Sequence, residues 1–370
     1  MKKVLMITGS LPPIRCGVGY YAERLSRELA AGGLEFSILS TKGVDKDTPA
    51  PLLTVPNWKI RSLPKMLSAI KKSEAEIIHI QYPTVGYRRQ LGINLLPYVL
   101  RLTKPHLKIL ITLHEYHQSR WIGRWRNSIT IWPAHLIFVS NHLDKLMLRR
   151  LGGKVLIVPI GANFDVAPRN PEFFKKTLRS QKLDPDKPTL IFFGYAFPSK
   201  KLELLLDALG EPELKCYQAL LLASLDKKTQ YQRALQKQVD RLNRDSPRVG
   251  TTGFLEGEDV SAIMQEVKYF VLPLDQPISA KSGTAIAAVQ NGMIVVSRGA
   301  AQPDATAPFA HLKNCYLLDE VSGRTIASTI KHLDNSPDET RTILQGAAEL
   351  KNYFSWPHII KEHLRIYGEL

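Results

Sequence analysis

Short runs of apolar, β-branched residues alternate along the chain with stretches whose apolar positions have helical spacing. Between the first two runs, GYYAERLSRELAAGG has the 3.6-residue period of a helix and ends at Gly32 and Gly33. Strands that alternate with helices predict a parallel sheet covered on both faces. The predicted strands of the first half are KVLMITG, EFSILST, EIIHIQY, KILITLHEY, HLIFVS and KVLIVPIG.

The pattern is interrupted at GANFDVAPRNPEFF, which is rich in Pro and Asn, and then it restarts. This break predicts two Rossmann-like domains, over 1–165 and 166–353, whose facing sheets form a ligand cleft at the carboxyl ends of their strands. The final FSWPHIIKEHLRIYGEL predicts an amphipathic helix. The predicted strands of the second half are TLIFFGY, YQALLLAS, RVGTTGF, YFVLPL, MIVVS and CYLLD.

Composition narrows the class of protein. The three cysteines, at 16, 216 and 315, show no Cys-x-x-Cys spacing, which argues against a disulfide framework and a zinc site and favours the reducing cytoplasm. Residues 1–164 hold 24 Lys and Arg against 9 Asp and Glu, whereas the remainder is nearly balanced. Such a one-sided positive charge favours anionic partners: nucleic acid, an anionic membrane surface or phosphorylated substrates.

The first predicted helix follows a glycine-rich turn. Gly17-Val18-Gly19 with Ala22 matches G-x-G-x-x-A, whose glycines let backbone amides approach a phosphate. The preceding loop is long and contains two prolines, and the second strand ends without the acidic residue that binds an NAD ribose. Three interpretations stay open: contact with a phosphate or sugar, plain turn geometry, and NAD binding.

A histidine pair follows another predicted strand, in LHEYH. His114 and His117 lack the spacing of His-Glu-x-x-His, so a zinc protease site is not predicted. A histidine at the carboxyl end of a strand can hydrogen-bond a sugar hydroxyl or transfer a proton. We therefore predict a functional His114, with a structural histidine as the alternative.

A lysine pair marks the start of a predicted helix in FFGYAFPSKKLELLLDAL. Lys200 and Lys201 oppose the helix dipole there, unless an anion is bound beside them. The pair predicts an anion site, and a solvated basic turn is the alternative.

A second anion site is predicted in QPISAKSGTAIAAVQNG. Lys281 precedes Ser282, Gly283 and Thr284 at a helix start, where amide groups and the dipole attract an anion. The stretch from 276 to 299 contains no Asp or Glu. N-capping by Ser282 is the alternative, and it is compatible with anion binding.

In this order, the motifs resemble those of the retaining GT-B glycosyltransferases of family 4 over nearly the whole chain. CGVGYYAERLSREL is similar to the family's glycine-rich start, IHIQYP and LHEY to its strand-end motifs, and FGYAFPSKKLELLLDAL to its lysine motif. FSWPHIIKEHLRIY resembles its last helix. The resemblance implies an α/β fold of the GT-B type: two Rossmann-like domains facing across a cleft, and a helix over 354–370 that crosses back to the N-terminal domain.

The resemblance also implies an activity: transfer of a sugar from a nucleotide-sugar to a glycan or lipid-linked acceptor, with retention of configuration and with no metal or other cofactor. In such enzymes the second domain binds the nucleotide-sugar and the first takes the acceptor. His114 would contact the transferred sugar. The donor diphosphate would be bound by Gly17, Gly19, Lys200, Lys281, Ser282, Gly283 and Thr284.

Several positions depart from the family pattern. Tyr195 stands where the family has a phosphate-binding Arg, with Lys281 as the hypothesised substitute, and Lys201 stands where it has a glycine. Ser279 and Ala287 replace the two glutamates that contact the donor sugar and the ribose. A non-catalytic GT-B scaffold or regulatory partner in a glycan assembly complex is therefore the second hypothesis, and an NAD-dependent enzyme is the third.

The positive charge of the first domain indicates the class of acceptor and the cellular location. Its charge suits a polyprenyl-diphosphate-linked glycan at an anionic membrane, as in the synthesis of surface or extracellular polysaccharide. No nucleic-acid reader motif is present, so no nucleic-acid partner is predicted. We expect a cytoplasmic protein, peripheral at the inner membrane face; a buried helix with a solvated basic edge is the alternative. The residues predicted to face acceptor and membrane are Arg120, Trp121, Arg124, Trp125 and Arg126.

Overall fold

The chain folds into two compact units. The computed structural model describes residues 2–14, 16–41, 50–117, 119–226 and 228–370. The first unit comprises Met1–Gly161 and Ser355–Leu370, and the second comprises Ala162–Phe354. Each unit is an α/β layer structure with its own parallel sheet.

The first unit contains a seven-stranded sheet. Its strands are β1 (Val4–Ile7), β2 (Phe36–Thr41), β3 (Leu52–Val55), β4 (Ile77–Tyr82), β5 (Lys108–Leu113), β6 (Leu136–Val139) and β7 (Val155–Ile157). All neighbours are parallel, in the order β3-β2-β1-β4-β5-β6-β7. The six strands predicted from the sequence are all present. The prediction missed β3, a four-residue edge strand with one buried residue, because it has neither a long apolar run nor a clear alternation.

Helices cover both faces of this sheet. They are α1 (Gly17–Ala31), α2 (Leu63–Ser73), α3 (Gly92–Thr103), α4 (Trp121–Ile131) and α5 (His142–Met147). Alternate residues of β1 enter different apolar clusters, Leu5 and Ile7 on one side and Val4 and Met6 on the other. Two buried faces explain why the central strands are continuous apolar runs in the sequence.

The second unit repeats the architecture with six strands. They are β8 (Thr189–Phe193), β9 (Gln218–Leu222), β10 (Val249–Thr251), β11 (Tyr269–Leu272), β12 (Ile294–Arg298) and β13 (Tyr316–Leu318), parallel and in the order β10-β9-β8-β11-β12-β13. All six were predicted. The helices are α6 (Pro171–Ser180), α7 (Leu202–Ala208), α8 (Gln230–Leu242), α9 (Gly257–Met264), α10 (Gly283–Gln290), α11 (Gly323–Asn335) and α12 (Pro337–Tyr353).

The last helix returns the chain to the first unit. It is α13 (Trp356–Glu369), and Ser355 caps it by accepting a hydrogen bond from the backbone of His358. Its buried residues Ile359 and Tyr367 share an apolar cluster with α1, which confirms the predicted crossover. Among the described helices, none combines the length and the hydropathy needed to cross a bilayer.

Each sheet has one point at which the strand order reverses. In the first unit it lies between β1 and β4, and in the second between β8 and β11. The loops leaving neighbouring strands diverge there, and this opens a crevice at the carboxyl ends of the strands. The candidate site residues of each unit follow these strands and their neighbours.

Candidate functional site

In the second unit, three residues come together where the strand order reverses, between β8 and β11: Gly194, Lys200 and Thr284. Gly194 directly follows β8, and Thr284 lies in the first turn of α10, after the loop from β11. The Lys200 Nζ lies 3.5 Å from Thr284 Oγ1 and donates to it. A Cβ atom at Gly194 would lie 2.5 Å from Lys200 Nζ and 3.0 Å from Thr284 Cγ2. The lysine can reach the threonine only because position 194 has no side chain.

The Lys200 ammonium lies in an apolar setting. Burial lowers its pKa from 10.5 to about 8, and the Phe192 ring centroid is 5.8 Å from Nζ. Across the described ranges of the chain, no carboxylate pairs with Lys200. A buried cation without a counter-charge is unfavourable, so an anion bound here would be stabilised.

Lys201 is not part of this cluster. Its ammonium lies 3.8 Å from Glu203, and its backbone has φ 45° and ψ 40°, in the left-handed region. This conformation favours glycine, which explains why the resembling family has glycine at this position. The predicted helix start is also shifted: Lys200 ends a 3₁₀ turn, and α7 begins at Leu202.

The start of α10 is open to a ligand. Ser282 occupies the N-cap position, but its side chain makes no capping hydrogen bond, which removes N-capping as the account of this serine. No acidic residue lies in the first turn. A Cβ atom at Gly283 would find no atom within 4 Å. The helix start therefore combines a partial positive charge with space for an approaching anion.

The remaining residues of this loop shape its turn. The partly buried Lys281 accepts a hydrogen bond from Gly283 at its backbone oxygen, at 2.9 Å. The backbone oxygen of Ser279 accepts one from Ser282, also at 2.9 Å. Ser279 and Ala287 are both buried, so the two positions where the family has glutamate lie inside the second unit.

In the first unit, His114 lies at the carboxyl end of β5. Its Nε2 is 2.8 Å from Gln81 Oε1 at the end of β4, and its backbone N–H donates to Tyr82. Because an amide oxygen only accepts, His114 carries its proton on Nε2. The Tyr21 ring of α1 packs edge-on against the imidazole at 5.5 Å, and Trp356 of α13 stacks on Tyr21.

Gln81 connects His114 to a buried chain of polar groups that the sequence did not predict. The Gln81 amide nitrogen lies 3.1 Å from His79 Nε2, and Thr112 Oγ1 lies 2.7 Å from the same atom. His79 Nε2 is therefore the acceptor, and Nδ1–H donates to the Tyr367 hydroxyl on α13, at 2.7 Å. Burial, followed by the neighbouring histidines, holds the pKa of His79 well below 6.5, so the ring is neutral.

Part of this hydrogen-bonded network could have been predicted from the sequence. His79 and Gln81 are polar residues two apart in an otherwise apolar strand, so both face the same side of the sheet. Their partner on α13 is 288 residues from His79 along the chain, and no local pattern identifies it.

The two predicted glycines of α1 differ in their surroundings. Gly17 is exposed, and a Cβ atom there would meet nothing within 4 Å, as at Gly283. Gly19 is buried, and a Cβ atom would lie 3.1 Å from the Cβ and the carbonyl oxygen of Ser10. Close packing is enough to explain Gly19, whereas Gly17 leaves room for a ligand.

A glycine contact behind this turn was missed. A Cβ atom at Gly86 would lie 1.6 Å from the carbonyl oxygen of Gly9, so the loops after β4 and β1 touch backbone to backbone. The Ser10 hydroxyl accepts a hydrogen bond from the Gly86 amide at 2.8 Å, which fixes the two loops together. Gly86 has no motif around it in the sequence.

His117 has a structural environment. Its Nδ1 and its backbone N–H both lie within 2.9 Å of Asp144 Oδ1, and Asp144 is fully buried. The Arg124 guanidinium donates to the His117 carbonyl oxygen at 2.6 Å. Arg124 is thus only partly exposed, whereas Arg120, Trp121 and Trp125 are exposed.

Within the described part of the chain, no group of three His, Cys, Asp or Glu side chains is arranged to hold a metal ion. The metal-independent reaction implied by the resemblance stays a prediction.

Comparisons with known proteins agree with this architecture. Residues 16–166 match the model of Glycosyltransferase Family 4, which covers less than half of the chain. Among the curated proteins, none matches the sequence.

Solved structures are similar over the full chain. The sucrose-phosphate synthase of Thermosynechococcus elongatus is 19% identical, with a TM-score of 0.74 and coverage of 100% of this chain and 99% of that one. HepE of Anabaena in complex with UDP is 17% identical, with a TM-score of 0.76 and complete coverage of both chains. A glycosyltransferase of Rickettsia africae is 16% identical, with a TM-score of 0.77 and coverage of 100% and 98%.

Identities this low are informative about the fold alone. The two parallel sheets and their alternating helices match these structures over the full length of this chain. The whole chain therefore has the GT-B fold, and its residues 16–166 match the glycosyltransferase family 4 model.

Proposed function

We propose that the protein transfers a sugar from a nucleotide-sugar to an acceptor, with retention of the anomeric configuration and without a metal ion. One observation carries this proposal: Lys200 is partly buried, and its desolvated ammonium has no carboxylate partner in the described chain and lies beside Thr284 and the open start of α10. A leaving nucleoside diphosphate must be stabilised as its charge develops. Fixed amides and a desolvated ammonium supply that stabilisation.

The residues divide into two roles within this proposal. Lys200, Gly283 and Thr284 would bind the donor diphosphate, supported by Lys281 and Ser282 in the same loop. His114 would contact the transferred sugar through a hydrogen bond, because Gln81 holds its ring in one orientation. Gly17 would let a ligand approach the start of α1, where no Cβ fills the space.

The donor and acceptor are also proposals. The related folds in complex with UDP or UDP-glucose make uridine nucleotides the first donors to test. The excess of Lys and Arg in residues 1–164 favours a phosphorylated acceptor, such as a polyprenyl-diphosphate-linked glycan for surface polysaccharide. One related fold is an α-glucosyltransferase bound to UDP-glucose and DNA, so the absence of a nucleic-acid partner stays a prediction to test.

A second candidate is a non-catalytic GT-B scaffold or regulatory partner. It is favoured by Ser279 and Ala287, which provide no carboxylate for the donor sugar or the ribose. Release of nucleoside diphosphate from any nucleotide-sugar, with transfer to an acceptor, eliminates this candidate.

We expect a nucleotide-sugar to raise the melting temperature of the protein. A ligand at about 100 times its Kd adds about 2.7 kcal/mol to the free energy of unfolding. For a domain of this size that corresponds to about 5–10 °C. Differential scanning fluorimetry with UDP-, GDP- and dTDP-sugars, with NAD in parallel, measures the shift. A shift with NAD alone, or with none of these ligands, contradicts the proposal.

Two glycine substitutions test the diphosphate cluster separately from the fold. Gly194→Ala places a methyl group 2.5 Å from Lys200 Nζ at a φ of 117°, so we expect about 1–3 kcal/mol of destabilisation and loss of donor binding. Gly283→Ala adds a methyl group in open space, so we expect an unchanged Tm but an affinity at least about tenfold lower, since the methyl group blocks the phosphate. Calorimetric titration and melting curves check both. Unchanged affinity of Gly283→Ala would exclude a ligand at this amide.

A further inference from the structure

Helix α4 exposes a stripe of tryptophans. Trp121, Trp125 and Trp132 are 67% to 78% exposed, and spacings of four and eleven residues put them on one side of the helix. The opposite side, with Asn127 and Thr130, is buried. Large aromatic side chains are rarely left in water in a row, so this stripe differs from ordinary surface.

Helix α3 exposes a second apolar stripe with the same spacing. Leu91, Leu95 and Leu102 are 37% to 84% exposed. The two helices pack side by side: Tyr98 of α3 donates to the Ile129 carbonyl of α4 at 2.8 Å. They follow β4 and β5, which are neighbours in the sheet, so right-handed crossovers put both on the same face. We call these six exposed side chains the α3–α4 face.

The charge around this face is strongly positive. Residues 77–143 contain eight Lys and Arg and a single acidic residue, Glu115. The exposed Arg88 and Arg89 precede α3 and the exposed Arg120 precedes α4, so these three arginines lie near the carboxyl ends of the strands. Because Arg124 is engaged with the His117 carbonyl, these arginines are the better probes of surface charge.

We propose that the α3–α4 face docks onto the surface of an anionic lipid bilayer. Tryptophan and leucine enter the headgroup region, where an apolar body and a polar edge are both accommodated. Each nearby arginine adds about 1 kcal/mol of attraction to an anionic surface. A second copy of the chain would bring like positive charge to this face, which is unfavourable, and duplex DNA does not explain the leucine stripe.

Docking would place the end of β5 near the membrane. Six residues separate His114 from the start of α4, and Arg124 of α4 is bonded to the His117 carbonyl within that segment. A lipid-linked acceptor could then reach His114 without leaving the bilayer surface. This consequence rests on the proposed function, whereas the docking itself does not, because it is measured without a sugar donor.

The chain has a built-in reporter for this docking. It has five tryptophans, of which Trp58 and Trp356 are buried in the core and the other three form the stripe on α4. Vesicles of phosphatidylcholine with 30% phosphatidylglycerol should therefore shift the tryptophan emission to the blue. Brominated lipid should quench it. Pure phosphatidylcholine, or about 0.5 M salt, should remove most of the effect.

Variants separate the apolar from the electrostatic contribution. We expect Trp121→Gln with Trp125→Gln, and Arg88→Glu with Arg120→Glu, each to lower co-sedimentation with anionic vesicles at least about tenfold. Phe254→Gln and Lys237→Glu change exposed residues of the second unit and should leave binding unchanged. Melting curves check that each variant is folded.

Several results would overturn the proposal. They are binding that ignores lipid charge, binding that survives both double substitutions, and no binding to anionic vesicles. A tryptophan-dependent dimer in sedimentation velocity would instead assign the face to a second copy. Tryptophan-dependent binding of duplex DNA would assign it to nucleic acid. A donor screen that fails while vesicle binding succeeds would overturn the proposed activity and leave the docking surface intact.

Discussion

Lys200→Met is expected to abolish the binding of the nucleoside diphosphate while making the free protein more stable. The substitution removes the buried ammonium beside Thr284 and keeps an apolar chain of similar length next to Phe192. Losing one fixed charge-stabilising group from such a site lowers the rate about 10²–10³-fold. Titration calorimetry with the nucleoside diphosphate and the turnover of its sugar measure the two losses.

The gain in stability follows from the lowered pKa. At pH 7 Lys200 is protonated in both states, and burying it costs up to about 3 kcal/mol, at 1.36 kcal/mol for each pKa unit between 10.5 and about 8. Between these values the unfolded chain binds more protons, so the stability of the wild-type protein rises with pH. The advantage of Lys200→Met should therefore be largest near pH 7 and shrink between pH 8 and 10.5.

The same pKa predicts how donor binding depends on pH. The diphosphate needs the ammonium form, so the affinity of the wild-type protein should fall as pH rises through about 8. Lys201→Met is the matched control, since Lys201 lies beside Glu203 and outside the cluster. Equal losses of affinity in the two variants would mean that general positive charge, rather than the buried ammonium, binds the donor.

Gln81→Leu should lower kcat about 100-fold with a smaller effect on the Kd of the donor. Gln81 is hydrogen-bonded to His114, and under the proposed function a displaced His114 would cost about that factor in rate. The substitution also leaves the buried His79 and the partly buried His114 without this partner, so the free energy of unfolding should fall by about 1–3 kcal/mol. Nucleoside diphosphate release under saturating donor gives kcat, and urea unfolding gives the stability.

Two further variants separate positioning from stability. Tyr367→Phe removes the hydroxyl that accepts a hydrogen bond from His79 Nδ1. This hydroxyl lies at the opposite end of the hydrogen-bonded network from His114, so the free energy of unfolding should fall while kcat changes little. Gln81→Glu keeps an oxygen opposite His114 Nε2 and should recover part of kcat. If Tyr367→Phe lowers kcat as much as Gln81→Leu, the network acts on stability and not on the orientation of His114.

The backbone of the second unit explains some of the positions that depart from the family 4 pattern. Lys201 has a left-handed backbone conformation, which glycine adopts without strain, so a glycine at this position would fit the same turn. At Ser279 and Ala287 both side chains are buried, so recognition of the donor sugar and ribose would fall to other groups of the unit. The donor screen is the direct test of whether such groups suffice.

The order of strands and helices could be read from the sequence because it depends on local periodicity. Buried parallel strands appear as apolar runs, and amphipathic helices appear at a 3.6-residue period. The same local patterns predicted both loops that the structure brings together at Lys200 and Thr284, because glycine, lysine and hydroxyl residues at a helix start form a recognisable anion-binding pattern. It failed at β3, where four edge residues with little burial carry no such pattern.

Only the tertiary structure decided which of these groups meet and which remain in water. The approach of Lys200 to Thr284 spans 84 residues, and the contact of His79 with Tyr367 spans 288, so neither leaves a trace in local spacing. Only the structure shows that Gly19 is packed against Ser10 whereas Gly17 is open to solvent. It likewise shows that Arg124 donates to the His117 carbonyl whereas the tryptophans of α4 are exposed. Secondary structure follows from neighbours along the chain, whereas charge, pKa and exposure follow from neighbours in space.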